Sequence, residues 1–143
     1  MFLENISSPE DLKKLNKAQY PYLCGEIREA LINNVLKTGG HLASNLGVVE
    51  LTIGLHLAFD FSKDRLIFDV GHQCYVHKML TGRYKDISTI RQYGGISGFP
   101  KPSESIYDAF IAGHAGTSIS TALGLARSRD LNGKDFNIVA FLG

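Results

Sequence analysis

The sequence has no tryptophan, only two cysteines, two methionines and four prolines in 143 residues. Cys24 and Cys74 lie far apart without metal-type spacing, which argues against a disulfide-stapled scaffold or a cysteine zinc site and for reduced thiols in a cytoplasmic protein. An excess of either charge is lacking too: 15 Lys and Arg stand against 14 Asp and Glu, a net +1. That balance gives no basis for nucleic acid or an anionic membrane as partner. There is no long hydrophobic run either. The stretch 51–61 is interrupted by Thr52, His56 and Asp60 and is too short to cross a bilayer. The first ten residues lack the basic start and apolar run of a signal peptide. Internal repeats and low-complexity tracts are also missing.

What is present is the pattern of an α/β protein. Ser8-Pro9-Glu10-Asp11 reads as a helix start, with a serine cap, a proline in the first turn and acids at the positive end, and predicts a helix to about Ala18 that Pro21 brings to a close. Leu23, Ile27, Ala30, Leu31 and Val35 fall at helical spacing and predict a second helix over 22–37, closed by Gly39-Gly40. A third, apolar nearly all round, is expected from a cap at Ser44 or Asn45 to Phe59. Segments 65–70 and 137–142 are short and apolar and read as buried parallel strands. Between them, short helices are expected over 73–80 and 86–92, and a small-residue helix from Thr117 to Asn132-Gly133. Residues 93–116 carry five glycines and two prolines without periodicity, the mark of a functional or mobile tract. The expected fold is a parallel sheet flanked by helices, with ligands beyond the carboxyl ends of the strands, at Gly71-His72 and Gly143.

Three groups of residues point to chemistry. Gly113-His114-Ala115-Gly116-Thr117-Ser118 combines close backbone access with the free N–H groups of a helix start, a seat for phosphate; a plain glycine–serine cap explains the same residues equally well. His72, at a strand end, has the placement of a phosphate or alkoxide donor, against a loop histidine bonded to backbone. His41 follows the helix-closing glycines and is either a polar cap or a catalytic imidazole. His72 and His77 are spaced unlike a zinc pair on one helix. His56 reads as a core or interface histidine, and Arg83, Lys85, Arg91 and Lys101 as a solvated basic face.

In order along the chain, Gly39-Gly40-His41-Leu42-Ala43-Ser44-Asn45-Leu46-Gly47, Asp69-Val70-Gly71-His72-Gln73 with His77-Lys78, Leu80-Thr81-Gly82-Arg83, the tract from Ile90-Arg91-Gln92 through Gly98-Phe99-Pro100 to Tyr107-Asp108, and Gly113-His114 with Thr117-Ser118-Ile119-Ser120 resemble the motifs of 1-deoxy-D-xylulose-5-phosphate synthases. The resemblance covers about residues 5–143. Transketolases share the layout, but the tract from Arg91 to Tyr107 is similar to the synthases alone.

The resemblance implies an incomplete thiamine-diphosphate-binding domain spanning 1–143. It implies condensation of pyruvate with glyceraldehyde 3-phosphate with loss of carbon dioxide, as a step toward isoprenoids, thiamine and pyridoxal. It places His72, Gly113, His114 and Ala115 against thiamine diphosphate and His41 at the reacting carbon as a proton-transfer or substrate-contact group. It also implies a homodimer. The family often has serine at the positions of Ala115 and Gly116. The Mg2+ ligands are expected beyond Gly143, so the chain alone is expected to be inactive and to self-associate through its last strand. Two rivals remain: one subunit of a split transketolase-like enzyme, and a non-catalytic fragment that pairs with an intact synthase.

Overall fold

A computed structural model describes residues 1–143. Its helices are α1 (Pro9–Lys13), α2 (Tyr20–Thr38), α3 (Leu42–Leu46), α4 (Val49–Ala58), α5 (Tyr75–Lys78) and α6 (Ser118–Leu131); its strands are β1 (Arg65–Phe68) and β2 (Ile138–Phe141). The strands pair in parallel, Arg65 opposite Ile138 and Phe68 opposite Phe141. Helical segments precede, link and flank this sheet, so the expected α/β class holds. No helix is long and apolar enough to cross a membrane.

The core is one buried cluster that joins the apolar stripe of α2 to α4, β1 and the α5 region. α2 buries Leu23, Ile27, Ala30, Leu31 and Val35 on one face, as their spacing requires, beside Leu66 and Phe68 of β1 and Tyr75, Val76, Met79 and Leu80 of the α5 region. Each large apolar side chain so buried contributes about 1.5–3 kcal/mol relative to exposure. Gly39 ends α2 at φ 73, which glycine adopts without a Cβ penalty.

Several boundaries differ from the pattern. α1 stops at Lys13, and Pro21 sits in the first turn of α2, where its missing N–H costs nothing. The third helix is broken at Gly47-Val48 into α3 and α4, and neither Ser44 nor Asn45 caps it; His41 precedes α3. Residues 79–83 form a wide π turn with Gly82 at φ 89, so the segment after Gln73 runs on to Arg83. Only Ile87–Thr89 is helical in 86–92, because Ile90 turns to an extended ψ of 132 and Arg91 then takes a left-handed φ of 63. β1 ends at Phe68 because Val70 is left-handed.

The tract 93–116 has no helix or strand, as its composition predicts, yet it is fastened to the interior. Arg83 is not on a solvated face: it is buried and forks onto Asp108, at 2.7 and 2.8 Å.

Candidate functional site

The site grows from the end of β1. Asp69 continues the ladder by donating its N–H to the Phe141 carbonyl. Val70 then adopts φ 60 and Gly71 φ 92. A β-branched residue in the left-handed region costs on the order of 1–3 kcal/mol, and such strain gathers at functional sites. The reversal presents His72, whose ring meets that of His41 at 5.0 Å, edge to face. The structure thus brings together two histidines 31 positions apart in the sequence, each singled out by its motif.

His41 is carried by the α2–α3 turn. Gly40 holds φ 135, and a Cβ there would lie 2.8 Å from the Tyr75 hydroxyl, so the turn packs directly on α5. The His41 N–H reaches that hydroxyl at 3.5 Å. Partial burial lowers the His41 pKa, and the nearby His72 and Arg91 lower it further. The ring is therefore neutral at neutral pH, in the state that accepts a proton. His72 has a buried Nδ1 without a hydrogen-bond partner.

Asn45 joins the two histidines. Its buried amide donates to the His41 carbonyl at 2.6 Å and the His72 carbonyl at 2.9 Å, and its oxygen accepts the Tyr75 N–H at 2.9 Å. The sequence pattern offers Asn45, with Ser44, only as a possible helix cap. The available signal was a polar residue in an otherwise apolar helical pattern.

Gly113, His114 and Ala115 lie on an exposed loop before α6. A cleft of about 300 Å3 is lined there by Phe110, Ile111, Ala112, Gly113, His114 and Thr117. The helix start is not free to take an anion. The Asp69 carboxylate accepts the Gly116 N–H at 2.9 Å and the Ser118 N–H at 3.3 Å, and the Gly116 bond first, the Ser118 bonds next, hold its pKa below the ordinary carboxylate range. The glycine–serine segment does not cap itself; Asp69, 49 residues earlier than Ser118, takes that place. Gly113 remains open, with no atom within 4 Å of an added Cβ.

Beneath the site lies a second polar cluster. The His77 Nε2 donates to Asp108 at 3.0 Å, and its Nδ1 meets the His56 Nε2 at 3.0 Å. In that arrangement His77 accepts from His56, and the buried His56 Nδ1 has no partner. Burial lowers the pKa of both rings, in His77 against the pull of Asp108. Burial alone would raise Asp108, but the Arg83 fork and the His77 bond hold its carboxyl well below its usual range. Lys78, fully buried, donates to Glu104 at 2.6 Å. The cysteines stay apart from this chemistry: burial pushes Cys74 up to about 12 and also raises Cys24. No group of three or more His, Cys, Asp or Glu side chains is arranged to hold a metal.

A family model described as 1-deoxy-D-xylulose-5-phosphate synthase matches residues 3–143. A 1-deoxy-D-xylulose-5-phosphate synthase of Pelotomaculum thermopropionicum is 61% identical over 141 residues, 99% of this chain and 22% of the relative. That of Dictyoglomus turgidum is 59% identical over 143 residues, all of this chain and 23% of the relative. That of Syntrophomonas wolfei is 60% identical over 141 residues, again 22% of its length. The chain therefore spans less than a quarter of these relatives, with the strained β1 turn, the paired histidines and the glycine loop all inside the matched region. The chain belongs to the 1-deoxy-D-xylulose-5-phosphate synthase family.

Proposed function

We propose that this chain forms one wall of a thiamine-diphosphate site, and that the intact gene product condenses pyruvate with glyceraldehyde 3-phosphate, releasing carbon dioxide, to give 1-deoxy-D-xylulose 5-phosphate. The observation that carries the reading is the His41–His72 pair at the carboxyl end of β1, with the His72 Nδ1 buried and unpartnered. A buried nitrogen left without a partner costs about 1–3 kcal/mol, and a bound polar ligand offsets that cost.

Thiamine diphosphate, when bound with Mg2+, would supply the carbanion chemistry. His72 and the backbone of Gly113, His114 and Ala115 hold the cofactor. Ala115 fits this role through its N–H, which needs no hydroxyl. Gly116 and Ser118 are committed to Asp69 and serve to fix the loop. His41, neutral and beside His72, accepts or returns the proton at the reacting carbon. A homodimer belongs to the same proposal and is supported by the apolar outer side of α4, where Leu51 is 54% exposed.

The test is an assay of the intact gene product with pyruvate, glyceraldehyde 3-phosphate, thiamine diphosphate and Mg2+. Deoxyxylulose phosphate should form, and His41→Ala should reduce kcat by about 10²–10⁴-fold, the usual contribution of a positioned acid or base. No product at saturating cofactor would overturn the assignment.

A further inference from the structure

Two carboxylates in the aperiodic tract lie outside the machinery above. Glu104 Oε1 accepts the Ser97 N–H at 2.7 Å, and Asp108 Oδ2 accepts the Lys101 N–H at 2.7 Å, each seven residues back along the chain. Each carboxylate is in turn held by cations rooted in α5 and the π turn. Lys78 Nζ and Arg83 Nη1 reach Glu104 at 2.6 and 3.4 Å, and Arg83 forks onto Asp108. The segment 97–101 is thereby pinned at both ends to a buried ion cluster.

The pinned segment lies against the two histidines. A Cβ on Gly71 would sit 2.7 Å from the Pro100 Cδ, so the proline ring closes directly on the turn that presents His72. At the other end, a Cβ on Gly98 would lie 3.6 Å from the Tyr75 hydroxyl, the group that the His41 N–H reaches, and Cys74 Sγ donates to the Gly98 carbonyl at 3.7 Å. One path therefore runs from Asp108 through Lys101 and Pro100 to Gly71-His72. The other runs from Glu104 through Ser97 and Gly98 to Tyr75 and His41.

We propose that Asp108 and Glu104 are positioning residues for the site: together they hold 97–101 as a strap, Asp108 setting His72 through Pro100 and Glu104 setting His41 through Gly98 and Tyr75. The inference rests on the reading of His41 and His72 above. The two paths separate in function. Loosening the Pro100 end displaces a cofactor contact, and loosening the Gly98 end displaces a proton-transfer group, where a shift of about 1 Å is enough to cost up to 10²-fold.

The experiment uses the intact gene product, with thiamine diphosphate as the titrant and folded enzyme counted by its cooperative melt. Asp108→Asn should raise the thiamine diphosphate concentration for half-maximal activity by about tenfold with kcat at saturation little changed, and Glu104→Gln should lower kcat by about tenfold at an unchanged cofactor requirement. Asp108→Asn leaves Arg83 underpaired and can fail to fold. Pro100→Ala and Tyr75→Phe therefore test the same paths with the ion cluster intact: the first should reproduce the cofactor shift, the second the kcat loss. The proposal is overturned if Pro100→Ala and Tyr75→Phe both match the unsubstituted protein in cofactor requirement and kcat, or if Asp108→Asn and Glu104→Gln only lower the melting temperature. An unsubstituted protein without synthase activity would instead overturn the function assigned to the site. The strap would then be judged by whether Pro100→Ala weakens thiamine diphosphate binding in a direct titration.

Discussion

Asn45 has two donors and one acceptor in use, all on backbone groups of the site. Truncation to alanine removes three hydrogen bonds and leaves the His41 carbonyl, the His72 carbonyl and the Tyr75 N–H without their partner. Asn45→Ala should destabilise the intact gene product by roughly 2–4 kcal/mol, read as a fall in urea midpoint at constant slope. Asn45→Asp keeps the shape but turns two donors toward carbonyls into acceptors, and its midpoint should fall at least as far. A midpoint unchanged in both variants would remove Asn45 from its role. Neither partner could be read from the sequence, since the His72 carbonyl and the Tyr75 N–H lie 27 and 30 positions away. Glycine was easier to read. Gly39 ends α2 with the positive φ that its place in the pattern implies.

At the scale of elements, hydrophobic pattern located α2, β1 and β2, since each has a run long or apolar enough to set its own face, whereas α6, with Ser118 its one buried residue, was legible from its small residues and the Asn132-Gly133 ending. The pattern overran α3 and α4, because a pattern apolar all round continues through Gly47-Val48 while the backbone does not. It gave no warning of the buried cluster of His77, Lys78, Arg83, Glu104 and Asp108, whose partners lie up to 31 positions apart. The site was legible as motifs, and the bonds that assemble it were not. Asp69 shows the difference, for a strand-end carboxylate proves to cap α6, 49 residues on. Asp69→Asn exchanges the charge-assisted bonds for weaker ones. It should lower the urea midpoint and speed amide exchange at Gly116 and Ser118 relative to the middle of α6. Unaltered exchange at those two amides would count against the cap.

For the molecule as a whole, buried histidines set a pH dependence. His56 and His77 are held neutral when folded, their pKa values lowered chiefly by burial, whereas the unfolded chain protonates them near 6.5. Below that pH the unfolded state binds more protons, so stability falls as pH falls, by up to about 1.4 kcal/mol per histidine per pH unit. Asp108, lowered, adds a loss in the same direction below about pH 4. Urea midpoints of the intact gene product should decline from pH 7.5 to 5.5, and a flat profile would mean that these rings charge freely in the fold. The 143-residue chain by itself should also self-associate. Ile119 and Leu123 of α6 and Leu142 after β2 are each more than half exposed, and a two-stranded sheet leaves an edge of β2 unpaired. Light scattering should detect oligomers at micromolar concentration, and a monodisperse monomer would contradict this. The parallel pairing has one more consequence, in time. Asp64, just before β1, accepts from Asn137, 73 residues later. At a synthesis rate of 5–20 residues per second, β1 waits roughly 4–15 s on the ribosome for its partner strand. Until then the Val70-Gly71 turn has no ladder beside it, so a chaperone that shields short apolar strands would have those seconds in which to act.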